Sequence, residues 1–314
     1  MTTVTEVMTV CGPVPAAELG RTAMHEHLIA DCSFSGNDDS KKLDDETAAV
    51  EEMRAVARAG GRTVVDCTCQ GLAPDYPALR RIAAATGVNI IASTGFYRRL
   101  VYPEYVHDAN AVTLTQQLIR EVDKGLAGTD IRPGMLAEFA SHDEAKPDEL
   151  EEKVFRAAGR AQVATGLPLT THCWVGRGAL WQISMLTEEG VPAERIVIAH
   201  VGANRPDMDN ARRILDTGVN VGIDCVGYGE RDGWVDYFDA ERAELVKIFI
   251  DWGHLAQLTV SRDLLRRHEL QRHGGKGYSY LFEGFVQVLR DAGITPAEVD
   301  ALLIDNPRRI LTPG

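Results

Sequence analysis

Eight strand-like runs alternate with helix-like runs along this chain, and that alternation limits the fold more than any other feature. The strand-like runs cover 22–27, 63–69, 89–95, 134–139, 169–172, 196–200, 220–224 and 258–261. Several are rich in Val, Ile and Thr, and most are apolar throughout instead of alternating. Such runs suit parallel strands covered on both faces. Amphipathic stretches at 45–58, 76–85, 114–124, 149–165, 179–189, 208–215 and 241–252 lie between them, and 281–292 and 296–303 supply final helices. Glycines such as Gly87 and Gly166 stand where a helix C-terminus wants a left-handed residue. The pattern predicts an α/β protein, a (β/α)8 TIM barrel. An open doubly wound sheet would have fewer strands and a phosphate-binding glycine turn after the first, and neither is seen. With no low-complexity segment, Pro/Ser-rich linker or short-period repeat, one barrel domain over 1–314 is expected.

Composition narrows the partners. The 314 residues include 33 basic and 46 acidic ones, a net charge of −13. A general nucleic-acid or anionic-membrane partner needs a basic footprint that this chain lacks, although a locally basic pocket remains compatible. No apolar run of membrane-spanning length occurs, and residues 1–10 do not read as a signal peptide. The six cysteines show neither a CxxC pair nor a dense framework, so reduced thiols in a cytoplasmic protein are expected.

Chemistry is concentrated where strands end. In Met24-His25-Glu26-His27-Leu28, strand alternation puts His25 and His27 on one side and turns Glu26 away. Glu138, His172, His200 and Asp263 close or follow later strands. The C-terminal strand ends of a (β/α)8 barrel converge on one pocket, so these six residues are predicted to meet there. A central carboxylate such as Glu138 can bridge two divalent cations roughly 3.5–4 Å apart, with a hydroxide bridging on the other side. Imidazole and carboxylate donors suit Zn, placed first, and also Mn, Co or Fe.

Residues 20–28, Gly-Arg-Thr-Ala-Met-His-Glu-His-Leu, resemble the N-terminal signature of the phosphotriesterase-like branch of the amidohydrolase superfamily. Ile198-Ala199-His200, Ser261-Arg262-Asp263 and Asp305-Asn306-Pro307 are also similar to that family's pattern. The resemblance implies a more buried metal held by His25, His27 and Asp263, a more exposed one held by His172 and His200, and a bridge at position 138. It also implies a homodimer. Glutamate at 138 stands where the best-known members carry a carboxylated lysine, and resembles the phosphotriesterase homology or phosphotriesterase-related sub-branch. Lys146 and Lys153 are nearby in sequence but fall in a loop and a surface-like helix. Cys225 follows Asp224 where lactonases have arginine, and Arg262 precedes Asp263 where histidine is usual. Tyr97 matches the lactonases' third-strand tyrosine, so its phenol would hydrogen-bond the hydroxide or the leaving-group oxygen; a plain pocket-wall role is the rival.

The loop after the eighth strand gathers Arg262, Arg266, Arg267, His268, Arg272, His273 and Lys276. A solvated basic face would account for it. The sharper expectation is an anion clamp in which Arg262, Arg266 and Arg267 bind a substrate carboxylate, sulfonate or phosphate. Strand alternation could instead turn Arg262 outward into an ion pair. Gly274, Gly275 and Gly277 suggest a lid hinge. Cys225 and Cys173 are candidate walls of the substrate site, with a small buried hydrophobe as the rival reading, whereas Cys67 and Cys69 read as packing. His107, His142 and His254 have no ligand-like placement. The expected activity is hydrolysis of a small molecule by a metal-bridging hydroxide, with Asp263 accepting its proton and no covalent intermediate. A carboxylic ester or lactone comes first, an N-acyl amide second and a phosphotriester third. A barrel that binds a small molecule without turnover is the non-enzymatic alternative.

Overall fold

The computed structural model describes residues 5–34, 38–141, 148–229 and 237–314. Eight parallel strands follow in chain order: β1 (Arg21–Glu26), β2 (Gly61–Asp66), β3 (Asn89–Thr94), β4 (Met135–Ala140), β5 (Leu169–His172), β6 (Ile196–Ile198), β7 (Asn220–Ile223) and β8 (Leu258–Val260). Neighbours in sequence are neighbours in space, as in the β2–β3 ladder from Thr63↔Asn89 to Asp66↔Ala92. Each parallel step needs a crossover, and helices supply it. They are α1 (Glu46–Arg58), α2 (Tyr76–Thr86), α3 (Ala111–Lys124), α4 (Glu149–Thr165), α5 (Ala179–Glu188), α6 (Met208–Asp216) and α7 (Asp239–Asp251), with α8 (Gly284–Asp291) after the last strand. The predicted (β/α)8 barrel is what forms.

Local sequence sets the helix ends. Asp45 and Asp75 accept backbone N–H bonds from Ala48 and Ala78, and Asp148 builds a capping box with Glu151. At the other end, Gly87 and Gly166 stop α2 and α4 with φ of 71° and 70°, a conformation only glycine adopts without strain. No helix among the described residues is long and apolar enough to cross a membrane.

Two apolar layers hold the barrel. Alternate residues of each strand pack outward against the helices. Inward-facing Met24, Val65, Ile91, Met135 and Val197 form a second cluster with Val7, Leu19, Ile310 and Leu311. Val7 belongs to a hairpin, Glu6–Thr9 with Gly12–Pro15, that the sequence pattern did not suggest because each strand is only four residues long. Gly134 admits it: a Cβ there would lie 2.4 Å from the Met8 carbonyl oxygen. The hairpin and C-terminus therefore pack against the barrel interior, and chemistry is left to the strands' other end.

Strand lengths differ from expectation at three such ends. The apolar runs suggested strands reaching His200, Asp224 and Ser261, but pairing stops at Ile198, Ile223 and Val260. His200, Cys225 and Asp263 take φ of 63°, 58° and 52°. A left-handed non-glycine residue costs about 1–3 kcal/mol. Here it breaks the pleat where side chains turn into the cavity.

The seam between β1 and β8 is closed by more than a regular ladder. Ser261 Oγ accepts the His25 N–H at 2.8 Å, and the Asp263 N–H reaches the His25 carbonyl at 3.1 Å. Glu26, predicted to face away from the metal side, turns its buried carboxylate to the Arg262 N–H at 2.8 Å and the Leu264 N–H at 3.1 Å. Closing the barrel and bringing Asp263 to His25 and His27 are thus one event.

Candidate active site

All six predicted ligands converge at this end, and all are buried. Glu138 Oε1 lies at the centre, 2.9 Å from His172 Nδ1, 3.0 Å from His200 Nε2 and 3.6 Å from His25 Nε2. Asp263 Oδ1 stands 3.4 Å from His27 Nε2 and 3.8 Å from His25 Nε2. Among the described residues the donor atoms gather in three groups: two triads sharing Glu138 (His25, His27 and Glu138, and Glu138, His172 and His200), and a third group of His200, Asp224, Cys225 and Asp263. Gly95 makes room for this centre, since a Cβ there would meet the Ala137 carbonyl at 2.5 Å and the Glu138 nitrogen at 2.7 Å.

Neighbouring groups aim the ligands. His27 Nδ1 is 3.0 Å from Thr68 Oγ1, leaving Nε2 for the site. Asp66 fixes the same corner by accepting the Leu28 and Thr68 N–H groups. Asp224 holds His200 twice, from its backbone N–H and from Nδ1, each at 2.9 Å. A carboxylate behind an imidazole fixes its tautomer and raises its basicity as a ligand. Glu26 does the equivalent for the backbone on both sides of Asp263. Glu26→Ala should orphan two buried N–H groups, at about 1–3 kcal/mol each, and loosen Asp263. Denaturant midpoints and metal titration check this. A Glu26→Ala variant as stable and as metal-avid as the parent would refute that role.

Charge at the site is arranged for cations. Burial alone would push the Glu138 carboxyl up, but His25 and His172 outweigh it and hold it well below the usual carboxylate range. Burial opposes charge on His25, yet Cys67 and Glu138 raise its pKa well above normal. His172 falls to about 3, through burial and then the nearby His200, so its ring is neutral and its lone pair available. Both ring nitrogens of His25 and Oδ1 of Asp263 are buried without a hydrogen-bond partner. Buried polar atoms rarely stay unsatisfied. Converging on imidazole and carboxylate neighbours, they fit divalent metal ions.

The cavity above these ligands is ≈ 180 Å³ and is walled by Phe34, Leu72, Trp174 and Tyr228 among others. Tyr97 lines it, its ring edge-on to His172 at 5.1 Å between centroids, and Cys225 lines it with Sγ 3.6 Å from Asp263 Oδ2. The three arginines of the predicted clamp are not among its walls. Arg262 is fully buried and pairs with Glu269 at 3.3 Å, because the residue before an inward-facing Asp263 points out of the barrel. Arg266 approaches Asp38 at 3.9 Å, and Arg267 pairs with Asp44 at 2.9 Å. Arg272 joins Asp45 and Glu51. The basic loop is spent on stitching itself to the acidic first loop and α1.

The expected lid hinge is packed as well. A Cβ on Gly275 would lie 2.1 Å from the Glu269 backbone, and Tyr278 is buried with its hydroxyl on the His27 carbonyl at 2.6 Å. Cys173 and Cys67 are buried away from the cavity walls. Lys153 Nζ bonds the Val106 and His107 carbonyls, and His254 contacts Gln257 and Asp216, so neither joins the site. His142 and Lys146 lie outside the described residues. Sequence reasoning missed Arg98 and Lys41, which line the cavity, and the supporting roles of Asp224 and Glu26.

Comparison with known proteins agrees with this geometry. The phosphotriesterase family model matches residues 5–311. The chain is 32% identical over 288 residues to the phosphotriesterase homology protein of Escherichia coli (strain K12), covering 92% of this chain and 96% of that one. It is 29% identical over 343 residues to the N-acetyltaurine hydrolase of Danio rerio, with 98% of each chain covered. A crystal structure of a resiniferatoxin-binding protein from Rhodobacter sphaeroides superimposes with a TM-score of 0.90 at 31% identity, over 98% of this chain and 94% of that one. Barrel and matched length agree, and the chain belongs to the phosphotriesterase family of metal-dependent hydrolases, close to the members named phosphotriesterase homology protein.

Proposed function

We propose that this protein is a binuclear metal-dependent hydrolase of a carboxylic ester or lactone, with an N-acyl amide as the next substrate class. The observation that carries the reading is Glu138, whose one oxygen serves both triads. His25, His27 and Asp263 would hold one ion and His172 and His200 the other, zinc being the first choice for such donors. Two such ions would supply Lewis acidity and a water deprotonated near neutral pH.

The chain's own groups do the rest. Asp263, facing His25, His27 and His200, takes the proton of the attacking water at its carboxylate and hands it toward the leaving group. Asp224 keeps the His200 ring in one orientation while charge develops. Tyr97 reaches the cavity as a donor, and its buried phenol stays protonated because burial drives its pKa upward. The apolar walls exclude water from an acyl group of modest size. N-acetyltaurine, the substrate named for the Danio rerio relative, is an amide that carries a sulfonate, which supports the amide class and an anionic substituent.

The resiniferatoxin-binding neighbour supports a second reading, in which the cavity holds a small molecule without turnover. One experiment separates them. Metal-loaded protein is assayed against matched esters, lactones, N-acyl amides and a phosphotriester. The hydrolase reading expects turnover that chelation abolishes and added metal restores. Binding without turnover on every compound would establish the second reading instead.

A further inference from the structure

The predicted anion clamp is absent from the eighth loop, but two other cations face the cavity. Arg98 follows Tyr97 beyond β3, and Lys41 lies in the long loop after β1. Both line the cavity that His172 and Glu138 also line, in a protein of net charge −13. Among the described residues no carboxylate pairs with either side chain, whereas Arg266, Arg267 and Arg272 each have one. Arg98 Nε is buried and lacks a hydrogen-bond partner. Unpaired cations beside a cavity are ready to meet an anion there.

Among the described residues the Arg98 side chain has one polar partner. Its Nη2 lies 2.6 Å from His172 Nε2, while His172 Nδ1 lies 2.9 Å from Glu138. A guanidinium has several N–H donors, so this one contact leaves others for an acceptor in the cavity.

Resting on the hydrolase reading above, we infer that Arg98 and Lys41 read an anionic group, a carboxylate or sulfonate, on the substrate. The guanidinium fork supplies orientation, and Lys41 adds charge from the loop after β1.

The test uses methanesulfonate, a weak metal ligand, titrated by calorimetry into metal-loaded and chelated protein. No turnover is needed, so a failure here is distinguishable from failure of the hydrolase reading, which the substrate panel decides. Arg98→Gln and Lys41→Gln should each weaken methanesulfonate binding to the loaded protein, by roughly ten-fold or more for Arg98. Metal content and melting temperature should stay at parental values. Unchanged binding in both variants overturns the assignment. Loss of metal together with loss of probe binding in Arg98→Gln overturns it too, since Arg98 would then be a support for His172.

Discussion

Glu138→Gln should fold into the same barrel, bind metal poorly and lose nearly all hydrolytic activity. Glutamine keeps the shape of the side chain but removes the one negative charge common to both triads. It also places an amide where one oxygen now serves three imidazoles within 3.6 Å. Loss of an outer partner of a metal ligand typically costs roughly 10–100-fold in affinity or activity. A ligand shared by two ions should exceed that range. Folding is less exposed, because β4 is paired on either side of Glu138, through Leu136↔Leu169 and Phe139↔Thr171, without use of the carboxylate. The check is metal content by elemental analysis beside kcat/KM and far-ultraviolet dichroism. A Glu138→Gln protein that keeps its metal and its activity would remove Glu138 from the bridging position. Activity restored by bicarbonate would point to a carboxylated lysine, although Lys153 is committed to two carbonyls.

The barrel and the convergence of its candidate ligands were legible because both follow from periodicities. Parallel buried strands leave long apolar runs, and the C-terminal strand ends must converge, so His25, His27, Glu138, His172, His200 and Asp263 could be placed from the sequence alone. Residues whose role depends on loop conformation were not legible. Arg98 stands one position past Tyr97 with no motif around it, and Lys41 sits in a loop whose path no pattern fixes. Arg262 misled for a physical reason: adjacency to a ligand drew attention, while alternation turns a ligand's neighbour away. The same rule correctly sent Glu26 away from the metal side, but not to its two N–H partners across the seam. The glycines at 275 and 277 suggested motion, and close packing explains them instead. Asp224 was visible as the end of a strand, yet nothing in one sequence tells a free carboxylate from one that holds His200.

Removing the metal should cost both activity and stability, and the stability cost should grow as pH rises. Two triads that share Glu138, with Asp263 beside His25 and His27, lead us to expect two ions per chain on gentle loading. Ions that bind only the folded state stabilise it by RT ln(1 + [L]/Kd), about 4.1 kcal/mol per site at a thousand-fold excess over Kd. The metal-free protein answers the loss by protonation. His25 and His200 have pKa values raised well above normal, burial opposing their charge while Cys67 and Glu138 favour it on the first and Asp224 on the second. A raised histidine pKa contributes stability that is full below the unfolded value near 6.5 and is lost as pH climbs through the folded value. The metal-bound protein cannot hold those protons, since a ligand nitrogen must be free. Metal-free protein therefore loses stability above pH 6.5 while loaded protein does not. The gap in melting temperature between them should widen from pH 6 to pH 8. Apparent metal affinity should rise over the same range, by about tenfold per pH unit for each proton released. Calorimetry in buffers of different ionisation enthalpy would count those protons. A gap independent of pH would show that neither imidazole gives up a proton to the metal, and full activity with one ion per chain would end the binuclear reading.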